Sequence, residues 1–474
     1  MRLAGAALVF LVACTQVQDL GFDGTRAGDG GGAGDAGTGD GAASRDGAAD
    51  TGTNPPAPGL PGAALATGGG ATCTLAGSVV KCWGSNGGGG LASGTSIVDI
   101  RGDAPGEMGA AIPAALLGNA GMPVALYAGL TGLCARFADN RSKCWGNNGS
   151  GQLGLGDAQD RGTDVAGLGD FLPYLDLGTG RWATHIAIGR DRMCAALDDG
   201  RLRCWGVSHG NFETRTVDDF RGDAPGEMGD ALPPVDLGAG RFVVASAIGT
   251  NFQCALFRDG AVKCWGQGIY GALGRSVGTG AAAEGMGDAL TPLDLGTGQR
   301  AVSITAGAEH ACALLASGRI KCWGHNDRGQ LGLGDVRNRA VEAGEMGDAL
   351  PFVPLGAGRT ASSVVARDDR TCAVLDDATV KCWGANSAGV LGLGNQNAYG
   401  TLPGNSGDFL PAVDVGAPVT ALALGGLYTC ARLVDGGTKC WGAAPFLGLG
   451  LDSGNLGDAP GEMGNALPRV DVAP

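Results

Sequence analysis

Paired cysteines at a fixed spacing constrain this fold more than any other feature of the sequence. Seven times, a cysteine is followed nine or ten residues later by a second cysteine, and a tryptophan comes directly after it. The pairs are Cys73 and Cys82, Cys134 and Cys144, Cys194 and Cys204, Cys254 and Cys264, Cys312 and Cys322, Cys372 and Cys382, and Cys430 and Cys440. In the segment CAALDDGRLRCWG, a three-residue loop of Asp198, Asp199 and Gly200 places Cys194 directly opposite Cys204. Opposed residues of this kind have Cα atoms roughly 4.5 Å apart, a separation that a disulfide bond tolerates.

The spacing of the cysteines changes together with the turn between them. Cys73 and Cys82 are nine residues apart, and the loop left between their strands is the two-residue Gly77-Ser78. The other pairs are ten apart, and their three-residue loops end on glycine or asparagine, except for one that ends on Ala378. Metal-ligand pairs are usually only about two to four residues apart. The sequence therefore predicts seven cross-strand disulfide bonds, with free thiol pairs or metal sites as the alternative.

The remaining cysteine, Cys14, ends a short apolar segment, MRLAGAALVFLVAC. This segment is too short for a membrane span and has the form of a secretory signal. Its end resembles the processing site of bacterial lipoproteins, which implies a signal peptide over residues 1–13 and acylation of Cys14. Thr15 in the next position favours the outer membrane. The sequence thus predicts an exported, lipid-anchored protein, while an ordinary signal with an incidental cysteine is the alternative.

Residues 14–62 form a second region, which differs from the rest of the chain in its composition. Between residues 15 and 61 there are seven Asp, two Arg and almost no large apolar side chains. Such a segment buries too little apolar surface to offset the entropy of ordering. We therefore expect an acidic, disordered tether before a domain over residues 63–474.

The domain itself is periodic, because the first cysteines of successive pairs recur every 58 to 61 residues. A sample unit contains four strand-like segments, PPVDLG, FVVASAIG, CALF and VKCWG, which begin at residues 233, 242, 254 and 262. A period of this length with four strands per unit predicts an all-β propeller of seven blades. The last segment, PRVDVA, has no cysteine unit after it, so we expect this C-terminal strand to complete the first blade and close the ring.

The segment CALLASGRIKCWGHNDRGQLGLGD, from Cys312 to Asp335, resembles the repeat of the regulator of chromosome condensation family. The resemblance implies a seven-bladed β-propeller over roughly residues 63–474. That family is best known for nucleotide exchange on a small nuclear GTPase and for chromatin binding. A signal peptide, seven disulfides and a net charge of −14 argue against both roles and against nucleic acid as a partner. A relative of the same fold class inhibits secreted β-lactamases through its loops, so extracellular binding is a known use of this fold.

No catalytic, metal or cofactor motif stands out in the sequence. The four histidines, His185, His209, His310 and His325, have no metal-ligand or hydrolase spacing. We therefore predict a monomeric, non-catalytic binding or scaffold protein that recognises a protein or a glycan and touches the membrane only through its lipid anchor. The alternatives are an extracellular enzyme acting on polysaccharide and an exchange factor of the kind the family resemblance implies.

Binding residues are expected where the repeat varies. The position two before each first cysteine carries large polar or aromatic side chains in five units, and equivalent positions of a propeller lie on a circle. The predicted binding arc is Arg192, Phe252, His310, Arg370 and Tyr428.

Two further patterns have a structural and a functional interpretation. The phrase RGDAPGEMG occurs at residues 101–109 and 221–229, and a structural loop between blades is favoured over adhesion. Calcium binding is the alternative for the recurring loop acids, Glu107, Asp223, Glu227, Asp288, Glu345, Asp348, Asp458 and Glu462. The tryptophan after each second cysteine is expected to pack between blades rather than to line a ligand surface.

Overall fold

The structure, a computed structural model, describes residues 63–207, 220–276 and 285–472. The predicted signal peptide, Cys14 and the acidic tether lie outside the described residues. Within the described ranges the chain forms 24 β-strands and short 3-10 turns, with no α-helix.

The strands are β1 (Leu65–Gly68), β2 (Ala71–Ala76), β3 (Val79–Ser85), β4 (Ile100–Arg101), β5 (Pro123–Ala128), β6 (Gly132–Phe137), β7 (Ser142–Gly146), β8 (Ala183–Ile188), β9 (Arg192–Leu197), β10 (Leu202–Val207), β11 (Phe220–Arg221), β12 (Val243–Ile248), β13 (Phe252–Phe257), β14 (Val262–Gly266), β15 (Ala301–Ala306), β16 (His310–Leu315), β17 (Ile320–Gly324), β18 (Ala361–Arg367), β19 (Arg370–Leu375), β20 (Val380–Gly384), β21 (Val419–Leu424), β22 (Tyr428–Leu433), β23 (Thr438–Ala443) and β24 (Asn455–Leu456). The 3-10 turns are Gly87–Gly89, Gly109–Ala111, Val165–Gly167, Gly169–Phe171, Gly229–Ala231, Ile269–Gly271, Gly287–Ala289, Gly347–Ala349, Ser387–Gly389, Pro403–Asn405, Gly407–Phe409 and Ala444–Phe446.

The strands assemble into seven antiparallel sheets in chain order. The first to seventh sheets are β1–β4, β5–β7, β8–β11, β12–β14, β15–β17, β18–β20 and β21–β24. Each sheet is a meander in which the second and third long strands form the cysteine hairpin. Seven such sheets, each packed on the next, confirm the all-β, seven-bladed propeller.

All seven cysteine pairs are bonded in the pairing that the spacing predicts. In each sheet the two cysteines face each other across the hairpin with Cα atoms 4.1 Å apart, as Cys194 and Cys204 do. The loop that ends on alanine still takes the same turn, because Ala378 adopts the left-handed conformation at φ +62°. The hairpin geometry therefore overrides the residue preference at this one position.

The tryptophans lie at the seams between sheets, since their neighbours in the chain turn toward the disulfide on the opposite face. The indole N–H of Trp145 in the second sheet donates to the carbonyl of Gly90 in the first, at 3.0 Å. The indole of Trp323 makes the equivalent bond to Ala272 in the sheet before it, at 3.1 Å. All seven indoles are buried, as expected for core packing.

The outermost segment of each blade was assigned to the wrong unit by the sequence. The segment PPVDLG was expected to begin the blade that follows it. Instead, Val235 in this segment donates its N–H to the carbonyl of Leu202 in the preceding hairpin, and this bond and its equivalents in the other blades are 2.9 Å or shorter. The equivalent bonds join Ala115 to Val80, Leu175 to Ser142, Leu293 to Val262, Val353 to Ile320, Val413 to Val380 and Val470 to Thr438. Each blade is therefore one continuous stretch of chain.

The expectation that the C-terminal strand completes the first blade was also wrong. The C-terminal segment hydrogen-bonds Thr438 of the seventh sheet through Val470, instead of adding a strand to the first. It still reaches the first sheet, because the N–H of Gly109 donates to the carbonyl of Asp471 at 2.9 Å and Val470 packs in one buried cluster with Leu65. The ring closes by packing of the last blade on the first, without exchange of a strand.

Removing one disulfide gives a test of how much the bonds stabilise the ring. The double change Cys312→Ser and Cys322→Ser is expected to lower the free energy of unfolding by about 2 to 3 kcal/mol, because the bond closes a loop of only about eleven residues. Equilibrium urea unfolding of the full chain measures this. The control is Cys14→Ser, which leaves all seven pairs in place, and an unchanged unfolding midpoint for the double variant would contradict the assignment.

Candidate functional site

The propeller has two ends that carry different side chains. At one end the first strand of each sheet turns into the second, and we call this the loop end. At the other end the second and third strands are joined by the cysteine hairpin, and we call this the hairpin end. The long segments that follow the third strands begin at the loop end.

The predicted binding arc is not a surface. Its five members each begin a β-strand at the loop end, and each is buried: Arg192, Phe252, His310, Arg370 and Tyr428 are at most 3% exposed. The prediction was wrong because it placed these residues in turns. The turns instead end one residue earlier, so the varied side chains point into the seams between sheets.

The two arginines of the arc bind the backbone of the next sheet. Arg192 donates from Nη2 to the carbonyls of Gly249 and Phe252, at 3.2 and 3.3 Å. Arg370 donates from Nη1 to the carbonyl of Gly426 at 2.8 Å and from Nη2 to that of Tyr428 at 2.9 Å. These guanidinium groups add a charged donor to buried carbonyls of the next sheet, of which those of Phe252 and Tyr428 also accept the backbone N–H groups of Gly249 and Gly425.

His310 and Tyr428 hold two further seams. The Nε2 atom of His310 lies 2.9 Å from the hydroxyl of Thr371 in the sixth sheet, and burial lowers the pKa of the imidazole to about 3. The hydroxyl of Tyr428 donates to the carbonyl of Ala71 at 3.0 Å and accepts from Thr72, and burial raises its pKa to about 12. The arc therefore stabilises the ring instead of binding a partner.

The buried histidine predicts a pH dependence of stability. The unfolded chain takes up a proton at His310 below its ordinary pKa of 6.5, whereas the folded chain resists protonation until about pH 3. Stability should therefore fall as the pH drops from about 6.5 toward 4, and His310→Gln should make this fall shallower. His185, whose pKa burial lowers to about 4, keeps part of the slope in both proteins. Melting temperatures measured across this range give the comparison, and identical slopes would contradict the assignment.

The RGDAPGEMG loops have a structural role. The carboxylate of Glu107 accepts from the backbone N–H groups of Gly102 and Ala104, at 2.8 and 3.3 Å, so the loop is folded on itself. Gly102 is buried, and its carbonyl accepts from Gly450 of the seventh sheet at 2.8 Å. This contact between sheets favours the structural interpretation over adhesion.

The other recurring acids also bind protein groups. Backbone N–H groups donate to the carboxylates of Glu227, Glu345, Glu462, Asp288 and Asp348. Asp458 accepts from Asn455 and Gln396, and Asp223 has a partner as well. In the described ranges, no group of three or more His, Cys, Asp or Glu side chains is placed to hold a metal ion.

A different set of side chains gathers at the loop end around the fifth sheet. Tyr270 lies flat on the imidazole of His325, with ring centroids 4.2 Å apart. Asp327 is 3.6 Å from His325, and Gln330 reaches His325 and Asp369, at 3.4 Å each. We call Tyr270, Glu309, His325, Asp327 and Asp369 the loop-end cluster.

The electrostatics of the cluster favour a positively charged ligand. Burial raises the pKa of Glu309; the charge of His325 lowers it in part, and the negative charges of Asp369 and Asp327 raise it further. Burial and then Asp327 do the same for Asp369. A cation placed among these carboxylates relieves their mutual repulsion, and the exposed ring of Tyr270 adds a cation–π contact.

Sequence reasoning missed this cluster, although a signal was present. Tyr270 takes a left-handed backbone conformation, φ +55°, where the sixth sheet has Ala388 at φ +57°. A bulky residue is rare in that conformation and costs free energy there. A tyrosine at the position that is Gly88, Ser150 or Ala388 in three other units was the sequence signal of the site.

Comparison with known proteins places the chain among propellers. The regulator of chromosome condensation (RCC1) repeat matches residues 301–330. The ultraviolet-B receptor UVR8 of Arabidopsis thaliana is 30% identical over 176 residues, 36% of each chain. The human E3 ubiquitin-protein ligase HERC2 is 25% identical over 248 residues, which are 51% of this chain but 4% of that protein. The matches thus span about a third or less of these relatives.

Among solved structures, Prp20p of Saccharomyces cerevisiae aligns with a TM-score of 0.59 at 17% identity, covering 84% of this chain and 87% of Prp20p. This structural similarity supports the assignment of the propeller fold. The chain is a seven-bladed β-propeller with a non-repeating cluster at its loop end. Its residues 301–330 match the RCC1 repeat, and its fold is similar to that of Prp20p.

Proposed function

We propose that the chain is a non-catalytic, envelope-anchored binding or scaffold protein that receives a partner at the loop-end cluster. The observation that carries this is the stack of Tyr270 on His325 beside three carboxylates. The two seams beside the cluster are also closed by other side chains, since the indole N–H of Trp323 donates to Ala272 and that of Trp383 to Gln330. The RCC1-like relatives favour a role in regulation or protein binding.

Export and anchoring are supported by the cysteines. Disulfides persist in oxidising compartments, and seven buried ones agree with the secretory signal before Cys14. No described helix is long and apolar enough to cross a membrane. Acylation of Cys14 supplies the anchor in this proposal, and labelled palmitate should enter the full chain but not Cys14→Ala. Equal labelling of both would refute the anchor.

The proposed partner is a protein or glycan that presents a basic group. In this proposal a guanidinium or ammonium group pairs with the carboxylates of Asp327 and Asp369 and stacks on the ring of Tyr270, which is 39% exposed. Arg and aromatic side chains are frequent at the centres of protein interfaces. The cluster offers an exposed aromatic ring and carboxylates together.

A variant of the cluster can be built from residues that the repeat already uses. The variant combines Tyr270→Ala, Asp327→Ser and Asp369→Asn. These are the side chains that Ala388, Ser387 and Asn251 have at the equivalent positions of other units. We expect this triple variant to fold as the parent does and to lose a partner that the parent cross-links in envelope extract. Mass spectrometry of the captured material gives the measurement.

The matched control is Leu427→Asn, at the position in the seventh sheet that corresponds to Asp369. It changes an exposed loop-end residue outside the cluster and should leave capture intact. Capture that is equal for parent, triple variant and control would remove the cluster from the proposal.

A further inference from the structure

The hairpins with three-residue loops share an aspartate that the hairpin of the fifth sheet lacks. In five of the six three-residue hairpins the second loop residue is Asp, and its carboxylate accepts the N–H two residues further on. These residues are Asp139, Asp199, Asp259, Asp377 and Asp435. In the fifth sheet the loop is Ala316, Ser317 and Gly318, so it carries no carboxylate.

The hairpin acids neutralise arginines that lie next to them. Arg181 pairs with Asp198 at 2.8 Å, and Arg241 pairs with Asp259 at 2.9 Å. Arg359 and Arg469 make the same kind of pair, with Asp376 and Asp435. Arg181, Arg241 and Arg359 each lie just before the first strand of a sheet, and Arg469 lies in the C-terminal segment. The pairing of an arginine with a hairpin acid therefore recurs in the repeat.

The fifth sheet loses the hairpin acid but has exposed arginines beside the hairpin. Gln299 stands where Arg181 and Arg241 stand, and Arg300 is the next residue along the chain. Arg319 corresponds to Arg141, which pairs with Asp139 at 2.7 Å. Across the part of the chain that the structure describes, no carboxylate forms an ion pair with Arg300 or Arg319. Both are exposed, so this is a local positive charge on a chain of net charge −14.

Aromatic rings hold two guanidinium groups of this region flat. The guanidinium carbon of Arg319 is 3.4 Å from the ring centroid of Phe352, and that of Arg258 is 3.4 Å from the ring centroid of Phe242. Stacking fixes the plane of each group and leaves its N–H edge free for a bidentate acceptor. The side chains are therefore ordered before a ligand arrives, which reduces the entropy lost on binding.

The backbone brings the three arginines onto adjoining segments. The N–H of Ala301 donates to Gly260 in the fourth hairpin at 2.9 Å, and the N–H of Ala316 donates to the carbonyl of Arg300 at 2.9 Å. Arg258 lies two residues before Gly260, and Arg319 three residues after Ala316. We call Arg258, Arg300 and Arg319 the basic surface of the fifth sheet.

We propose that this basic surface binds an acidic segment of a protein partner, separately from the loop-end cluster. Carboxylates match the free edges of the guanidinium groups, and arginine and aromatic residues are enriched at protein interfaces. A sugar ring would need an open aromatic face, but the arginines cover the faces of Phe352 and Phe242. The surface therefore suits a peptide better than a glycan.

The test uses the full chain and a fluorescein-labelled peptide that contains six consecutive glutamates. Fluorescence anisotropy at about 0.15 M salt gives the affinity, since this salt screens long-range attraction. Ser317→Asp restores the acid that five other hairpins carry and leaves all arginines in place. We expect it to weaken binding at least about tenfold, and Arg300→Gln with Arg319→Gln to do the same.

The control is Arg241→Gln, which removes an arginine that already has a partner and should change affinity less than about threefold. Melting temperatures confirm that each variant folds. Equal affinity of the parent and Ser317→Asp would overturn the proposal. A sulfated polysaccharide that binds this surface more tightly than the peptide, with the same loss in Ser317→Asp, would also overturn it, in favour of a glycan.

Discussion

The cross-strand cysteine pair is the constraint on which the rest of the structure depends. Each bond fixes the register of a hairpin, and register decides which face every side chain of the strand occupies. With the second cysteine turned toward its partner, the next residue, tryptophan, must face the adjacent sheet. One local bond therefore sets both the hairpin and the contact that joins it to the next blade.

Polar contacts complete the seams that the tryptophans begin. The basic residue before the second cysteine reaches backbone carbonyls at the junction with the preceding blade, as Lys143 does with Leu117 and Gly169, at 2.9 and 2.8 Å. Lys439 binds Gly464 at 2.7 Å in the same manner. Burial lowers the pKa of both lysines, but each ammonium group is satisfied by carbonyls. Because these contacts recur around the ring, residues that take no part in them stand out as candidates for binding.

The sequence was sufficient for features that depend on local spacing and turn chemistry. It predicted the hairpin pairing of Cys194 with Cys204 and the buried tryptophans, because strand alternation follows directly from residue count. It assigned PPVDLG to the wrong blade, since either neighbour satisfies the periodicity and only the hydrogen bond of Val235 to Leu202 decides. It placed Arg192 on the surface because spacing does not show which way a side chain turns at a strand end. The loop-end cluster joins Tyr270 to Asp369 from separate blades, and no local pattern predicts such a contact.

The two surfaces proposed for binding lie at opposite ends of the propeller and carry opposite charge, yet both depend on a ring held by seven local disulfides in an oxidising compartment. Disulfide mapping of the protein isolated from its own cells tests that premise directly. Non-reduced peptides analysed by mass spectrometry should show seven bonds, each between cysteines nine or ten residues apart. Free thiols at these positions, or bonds between different hairpins, would contradict both the fold's central constraint and the proposal of export.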